Sequence, residues 1–301
     1  MMLNRKSALF LAAAFLAAAP ALGQTATAAL PDADPAIWVV KDPDTTIYLF
    51  GTFHALDGKS AWFNDEVKTA FDQAKEVVLE LPPEDDKAKL QPIIMKYALD
   101  PSGKPFIDRL SPAAKAKYVK ALADIGAPPT ALDKFKPFFA TLTLVMAGAQ
   151  KQGFTAESGA EAVITKAAKD SGKPVSGLET IDFQMGIFAG MSDADQIKML
   201  EETLDQLDNL GPMFAEMNKH WTTGDANGFA KLMNEMDAQS PAAYKALLTD
   251  RNATWANWVQ KRLDQPGVVF VGVGAGHLGG KDSVQEFLAK RGIKSTRYTG
   301  K

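Results

Sequence analysis

Two of the three histidines in this chain end the same four-residue pattern, Gly-x-x-His. Residues 51–54 read Gly-Thr-Phe-His and residues 274–277 read Gly-Ala-Gly-His, each after an apolar run. Such runs are typical of buried strands, and a glycine at a strand end lets the backbone turn sharply or approach a ligand closely. Neutral imidazole is a common ligand of transition-metal ions. We therefore predict that His54 and His277 bind one metal ion together.

The third histidine, His220, lies in a polar stretch of helical character, Met-Asn-Lys-His at residues 217–220. It follows neither a strand-like run nor a glycine. We predict an ordinary surface position for it, because a lone histidine in such a setting rarely belongs to a site.

Carboxylates complete most hydrolytic metal sites, as ligands or as general bases. Glu80 is the first candidate, because it ends an apolar run directly before Leu81 and Pro82, where an unpaired buried charge would cost several kcal/mol. Glu179 is the second candidate and follows a short strand-like run, although a first-turn acid of a helix fits it equally well. The predicted metal ligands are His54, His277, Glu80 and Glu179, and Glu80 is also the predicted proton carrier.

Arg251 is the candidate for electrostatic catalysis, since an arginine beside a metal can stabilise an oxyanion. From spacing alone, a surface position is the default for this residue. The sequence has no Gly-x-Ser-x-Gly elbow, no His-Glu-x-x-His helix and no phosphate loop. It also has no cysteine, which excludes disulfides, thiolate metal sites and a cysteine nucleophile.

The periodicity of the chain predicts strands near both ends with helices between them. Strands are predicted at residues 36–40, 46–50, 76–81, 174–178, 268–273 and 294–298, the first two forming a hairpin around the turn 41–44. Helices are predicted at residues 64–74, 132–150, 160–170 and 283–291, and another helix is predicted to begin after Ser111 as its N-cap. A long helical region is predicted over residues 194–262, with breaks near Gly211-Pro212, Gly224 and Pro241. Terminal strands must share one sheet to bury their apolar faces, so we predict an α/β (α+β) fold, a mixed β-sheet covered by helices with a helical insertion. A separately packed domain over residues 84–154 is the alternative.

The first residues predict export. A basic start and an apolar run from Ala8 to Leu22 precede small residues at the spacing of a signal-peptidase site. We predict a signal peptide over residues 1–23, a single domain over residues 24–301, and a periplasmic or secreted location. An uncleaved membrane anchor is the alternative, which Pro20 and the polar residues after it disfavour.

These residues resemble the TraB/GumN family, which includes the Tiki metalloproteases of animals, and look most like its exported bacterial GumN-like branch. The resemblance covers about residues 36–298. It rests on an ordered series made of both Gly-x-x-His segments, the run ending in Glu80, residues 177–180 with Gln184, and the pair Arg251-Asn252.

The resemblance implies a mixed α/β fold shared with erythromycin-esterase-like proteins and a metal-dependent hydrolytic activity. Carried over, His54 and His277 are the ligand pair and Glu80 is the catalytic or ligating glutamate. Glu179 and Arg251 match recurrent positions of the family.

Two functions are consistent with these features. The first is a metallopeptidase-like hydrolase that uses a divalent ion (zinc, manganese or cobalt) on a peptide or small-molecule substrate. The second is a periplasmic binding protein that sequesters a peptide or other ligand without turning it over. Sequestration alone would not require His54, Glu80 and His277 together, so the presence of all three favours the hydrolase. The formal net charge of −3 offers no basic field for nucleic acid, and we expect no stable membrane insertion after signal cleavage.

Overall fold

The computed structural model describes residues 29–84, 87–239 and 241–300. The predicted signal peptide, residues 1–23, lies outside this part of the chain. Pro31–Lys301 form one compact unit. Among the described residues, no helix is both long enough and apolar enough to cross a membrane.

One mixed sheet organises the described residues. Its strands are β1 (Ile37–Lys41), β2 (Thr45–Thr52), β3 (Glu76–Leu79), β4 (Val175–Gly177), β5 (Gly267–Gly274) and β6 (Ser295–Arg297). The spatial order is β4-β3-β5-β2-β1-β6. Strands β4, β3, β5 and β2 are parallel, whereas β1 is antiparallel to both β2 and β6. The carboxyl ends of the four parallel strands therefore meet at one edge of the sheet.

The central strands are apolar on both faces, which is why they read as continuous apolar runs in the sequence. Successive side chains of a strand point to opposite faces. In β2, Tyr48 and Phe50 join the core on one face, while Ile47 and Leu49 join the core on the other. Strand β5 lies beside β2 over eight paired positions, from Thr45 opposite Gly267 to Thr52 opposite Gly274.

Helices cover both faces of the sheet. The helices of the described residues are α1 (Asp65–Gln73), α2 (Lys87–Ala98), α3 (Pro112–Asp124), α4 (Pro137–Lys151), α5 (Ala160–Asp170), α6 (Ile181–Gly190), α7 (Asp193–Gln206), α8 (Leu210–Thr222), α9 (Ala226–Gln239), α10 (Pro241–Tyr244), α11 (Asp250–Arg262) and α12 (Val284–Ala289). One face is covered by α1, α5 and α8, through Phe71, Ile164 and Trp221. The other is covered by α11 and α12, through Trp255 and Leu288. The predicted mixed sheet covered by helices is confirmed.

A third core lies away from the sheet and belongs to the helical insertion. Helices α3, α4 and α7 supply it, with Tyr118, Leu144 and Leu200 among its fully buried side chains. Helix α4 also contributes Ala149 to the core of the sheet. The insertion is thus joined to the sheet by a helix that packs in both places.

Most predicted elements are found within a few residues of their predicted bounds. The Ser111 cap is confirmed, since its hydroxyl accepts a hydrogen bond from the N–H of Ala114 at 3.3 Å. The predicted break near Gly211-Pro212 is confirmed, since α7 ends at Gln206, a short 3₁₀ turn spans Leu207–Asn209, and both residues lie in the first turn of α8. Proline is tolerated in a first helical turn, where the missing N–H would have no partner.

Candidate metal centre

Four of the predicted site residues follow the carboxyl ends of the four parallel strands. His54 comes just after β2, Glu80 after β3, Glu179 after β4, and His277 after β5 in a 3₁₀ turn. In parallel α/β sheets this edge is where binding sites form. The strand order, and not the sequence spacing, brings the four residues together.

Three of these side chains meet beside Gly274, the last residue of β5. A Cβ atom placed on Gly274 would lie 3.1 Å from Oε1 of Glu80, 3.4 Å from Cδ2 of His277 and 3.5 Å from Nε2 of His54. Because glycine has no side chain, this space stays open between the two imidazoles and the carboxylate. A ligand of atomic size would contact all three groups there.

Glu80 is buried, with 8% of its surface exposed, and both of its oxygens accept hydrogen bonds. Oε1 accepts from the main-chain N–H of Gly274 at 2.6 Å. Oε2 accepts from Nη2 of Arg251 at 2.8 Å and from Nε2 of Gln184 at 3.3 Å. Burial raises the pKa of Glu80, but the imidazoles, the guanidinium and the Gly274 N–H together lower it to about 2. Glu80 is therefore a carboxylate at neutral pH.

Arg251 lies in the first turn of α11 and is buried, so the surface position that its spacing favoured is wrong. Its Nε and Nη2 each donate to one oxygen of Glu179 at 2.9 Å, the two-pronged geometry that suits a guanidinium and a carboxylate. Nη2 also bonds to Glu80. Nη1 donates to the carbonyl of Leu247 at 3.0 Å and to Nε2 of His277 at 3.3 Å. Arg251 thus forms hydrogen bonds with Glu80, Glu179 and His277 at the same time.

Glu179 contacts Arg251 and Gln184. The amide of Gln184, on α6, donates to Oε2 of Glu179 at 2.9 Å as well as to Glu80. These contacts hold the guanidinium in place. Glu179 is not among the three groups nearest to a Cβ atom placed on Gly274.

His277 is buried and held at both ring nitrogens. Its Nδ1 lies 2.6 Å from Oδ1 of Asn252, and its Nε2 accepts from Arg251. Burial, with a smaller contribution from Arg251, lowers the pKa of His277 to about 3, although Glu80 acts in the other direction. The imidazole is therefore neutral at physiological pH, the form that binds metal.

His54 occupies the open side of the site, with 66% of its side chain exposed. Its Nδ1 lies 2.6 Å from Oε1 of Glu161, in the first turn of α5. The Glu161 carboxylate raises the pKa of His54 to about 9, against the effect of desolvation. Burial raises the pKa of Glu161, but the facing His54 lowers it overall.

The start of α5 is fastened to the His54 loop by main-chain contacts. The N–H of Ala160 donates to the carbonyl of Phe53 at 3.0 Å. A Cβ on Gly159 would overlap the carbonyl oxygen of His54, so only glycine allows this approach. These contacts place the Glu161 side chain beside His54.

His220 has partners outside this site. Its Nδ1 contacts Oδ2 of Asp225 at 2.9 Å at the end of α8, and its side chain is only partly exposed. The other acidic group of note is Asp32, Asp34 and Asp65, the one set in the described residues that brings three ligand atoms within 4.8 Å of one another. All three are exposed, as acidic groups without a bound ion commonly are.

Sequence reasoning did not assign a role to three residues of the site: Glu161, Gln184 and Asn252. Gln184 and Asn252 belonged to the family resemblance without a role of their own. Glu161 carried no signal beyond that of an ordinary acid in a first helical turn. The glycine before Ala160 was the available clue, because a close backbone approach requires it.

Comparisons with known proteins bear on the family of this chain. The profile of the TraB/PrgY/gumN family matches residues 36–297. An uncharacterized protein of Treponema pallidum (strain Nichols) is 23% identical over 270 residues, which cover 84% of this chain and 80% of that protein. The uncharacterized protein YbaP of Escherichia coli (strain K12) is 30% identical over 141 residues, which cover 46% of this chain and 51% of YbaP. No solved structure gives a significant match. On the family match, the chain belongs to the TraB/PrgY/gumN family.

Proposed function

We propose that this protein is an exported metal-dependent hydrolase that cleaves peptide or related acyl bonds. The observation that carries the proposal is the meeting of Nε2 of His54, Oε1 of Glu80 and the His277 ring beside Gly274. Each histidine is anchored through its Nδ1, as metal-binding histidines usually are. Two imidazoles and a carboxylate suit zinc, manganese or cobalt.

The charge of the site also fits a divalent cation. The carboxylates of Glu80, Glu161 and Glu179 face one guanidinium, that of Arg251. When His54 has lost its proton, as coordination requires, and His277 is neutral, two negative charges are left without a cation. Such an excess is costly in a partly buried site, and a divalent ion would neutralise it.

The three side chains are more widely spaced than the ligands of a coordination shell. The ligand atoms of His54, Glu80 and His277 do not all lie within 4.8 Å of one another. Arg251 also donates to Nε2 of His277, the atom required for coordination. Binding therefore requires Arg251 to release this nitrogen and the exposed His54 side chain to move towards Glu80.

Each residue of the site has its own role in the proposed hydrolysis. A bound divalent ion would lower the pKa of a coordinated water towards neutrality. Glu80 is ionised at neutral pH, as a ligand or a proton acceptor must be, and its Oε1 is the oxygen that faces the histidines. Once Nε2 of His277 is a ligand, Nη1 of Arg251 has an N–H available for a developing oxyanion. Glu179 keeps the guanidinium in position for this role.

A binding protein without turnover is the second candidate. One observation favours it: Nε2 of His277 and both oxygens of Glu80 have hydrogen-bond donors within the protein. Such a site is satisfied without an ion. It could hold a peptide or other ligand through the exposed His54 instead.

Metal analysis of the purified mature chain, followed by cleavage of a peptide library, tests the proposal. We expect one tightly held divalent ion per chain, and cleavage that stops with a chelator and returns with zinc, manganese or cobalt. Stoichiometric metal without cleavage of any peptide would favour the binding protein. Failure to hold any of the three ions would contradict the proposal. Export is tested separately by the N-terminus of protein recovered from periplasm or medium, which should lie between Gln24 and about Ala29.

A further inference from the structure

Consecutive residues of α11 contact opposite nitrogens of the His277 ring. Arg251 donates to Nε2 at 3.3 Å, and Oδ1 of Asn252 lies 2.6 Å from Nδ1. One turn further along, the ring of Trp255 packs against the imidazole with 4.4 Å between ring centroids. The first turns of α11 therefore fix both the plane of the imidazole and the surroundings of its nitrogens.

The orientation of the Asn252 amide follows from its second partner. Its Nδ2 donates to the main-chain carbonyl of Asp282 at 2.7 Å, and a carbonyl can only accept. The amide oxygen must then be the atom that faces Nδ1 of His277. Because this oxygen can only accept, Nδ1 carries the proton in the neutral ring, and Nε2 keeps its lone pair.

We infer that Asn252 is a positioning residue that holds the proton of His277 on Nδ1 and so directs the lone pair of Nε2 into the site. This inference deepens the proposed function, since coordination through Nε2 requires that lone pair. The side-chain hydrogen bonds of Asn252 go to His277 and to the carbonyl of Asp282. It acts through His277, and the carbonyl of Asp282 sets its own orientation.

The arrangement matters because an alternative acceptor is close. Oε1 of Glu80 lies 3.7 Å from Nε2 of His277. Without an acceptor at Nδ1, only the 3.3 Å contact from Nη1 of Arg251 would oppose a proton on Nε2, where the carboxylate would attract it. The ring would then present an N–H to the site and could not coordinate through that nitrogen.

The test compares two substitutions of Asn252 by ¹⁵N NMR of histidine-labelled, metal-free protein near pH 8. Because the chain has only three histidines, single variants assign their signals. In the wild type we expect the His277 proton on Nδ1. In Asn252→Asp the carboxylate still accepts from Nδ1, so the proton should stay there although the bond to Asp282 is lost. In Asn252→Leu, of similar size and without an acceptor, the proton should move to Nε2. A merely structural role would destabilise both variants and leave the tautomer unchanged.

A matched control and a second measurement separate this inference from the proposed function. Asn257 lies on the same helix and accepts from Arg291 at 2.6 Å on the exposed side, so Asn257→Leu should leave the tautomer of His277 unchanged. In zinc titrations we expect Asn252→Leu to weaken binding about 10- to 100-fold, as loss of an orienting partner commonly does.

A proton on Nε2 in the wild type would overturn the inference even if Asn252→Leu failed to fold. So would a proton that stays on Nδ1 in a folded Asn252→Leu protein, or a tautomer change that leaves zinc affinity intact. If the wild type binds no zinc, the proposed function fails, while the NMR result still decides whether Asn252 sets the tautomer.

Discussion

The main-chain N–H of Gly274 donates to Oε1 of Glu80 at 2.6 Å, across a sequence separation of 194 residues. The same glycine leaves open the space that both histidines face. One residue therefore fixes the carboxylate through its backbone and makes room for an ion through the side chain that it lacks.

Gly274→Ala tests this double role. The backbone of Gly274, with φ −50° and ψ 134°, is open to any residue, so the fold should survive. The new methyl group would crowd Oε1 of Glu80 and Nε2 of His54, and overpacking of this kind costs ~1–3 kcal/mol. We expect metal affinity to fall about tenfold or more, by titration calorimetry. Gly190→Ala is the control, because a Cβ there meets nothing within 4 Å. Equal affinities in the two variants would show that the ion binds elsewhere.

His54→Ala and His277→Ala should each abolish stoichiometric metal binding, and the double variant should lose nothing further. Removal of either ligand breaks the same coordination shell, so the two effects cannot add. His220→Ala should bind metal like the wild type, since the partner of His220 is Asp225 and not a residue of the site. Metal content after dialysis measures all four proteins. Two independent partial losses would mean two separate sites.

Glu80→Gln separates the roles of ligand, proton carrier and structural acid. The amide keeps the shape and removes the charge. Loss of turnover by ~10²–10⁴-fold with metal retained would identify a general base, and loss of the ion as well would identify a ligand. The variant is compared with the wild type by metal content, thermal melt and peptide cleavage. Full turnover in a well-folded, metal-loaded Glu80→Gln protein would remove Glu80 from the chemistry.

Removal of the Arg251 side chain should cost far more stability than removal of the Arg262 side chain at the other end of α11. Arg251→Ala leaves Glu80 and Glu179 buried without their counter-charge, and a broken buried pair typically costs ~3–5 kcal/mol. Arg262 pairs with Glu76 at 2.7 Å, but Glu76 is 36% exposed, so Arg262→Ala should cost about 1 kcal/mol. Urea unfolding of both variants measures the difference. Similar losses would mean that Arg251 is not the link between the two glutamates.

Metal affinity should rise with pH because His54 must lose a proton to bind. Glu161 raises the pKa of His54 from its ordinary 6.5 to about 9. The stabilisation from this pair is fully present below pH 6.5 and is lost as the pH rises through about 9. As the pH rises over the same interval, fewer protons compete with the metal for the imidazole of His54. Glu161→Gln should return the pKa of His54 towards 6.5, as followed by the imidazole C–H shifts of metal-free protein. A wild-type midpoint at or below 6.5 would contradict the pairing.

The sequence predicted the positions of strands and helices better than it predicted which strands lie side by side. The apolar runs that became β2 and β5 were visible, because strands buried on both faces need such side chains. Their parallel pairing was not, since spatial order depends on packing between segments far apart in the chain. The same limit applies to the site: the Gly-x-x-His segments marked His54 and His277, but Glu161 resembled any first-turn acid until α5 was docked on the loop.

The pairing of β2 with β5 also bears on when this protein can fold. The hydroxyl of Thr45 bonds to the carbonyl of Gln265, 220 residues later, and the central sheet is incomplete until the last part of the chain has arrived. Contacts of such long range make folding slow, because the loop-closure entropy is lost before the contacts form. A nascent chain that ends before β5 has neither the centre of the sheet nor His277. Premature termination should therefore leave a polypeptide that exposes the apolar edge of β2, a target for aggregation and proteolysis.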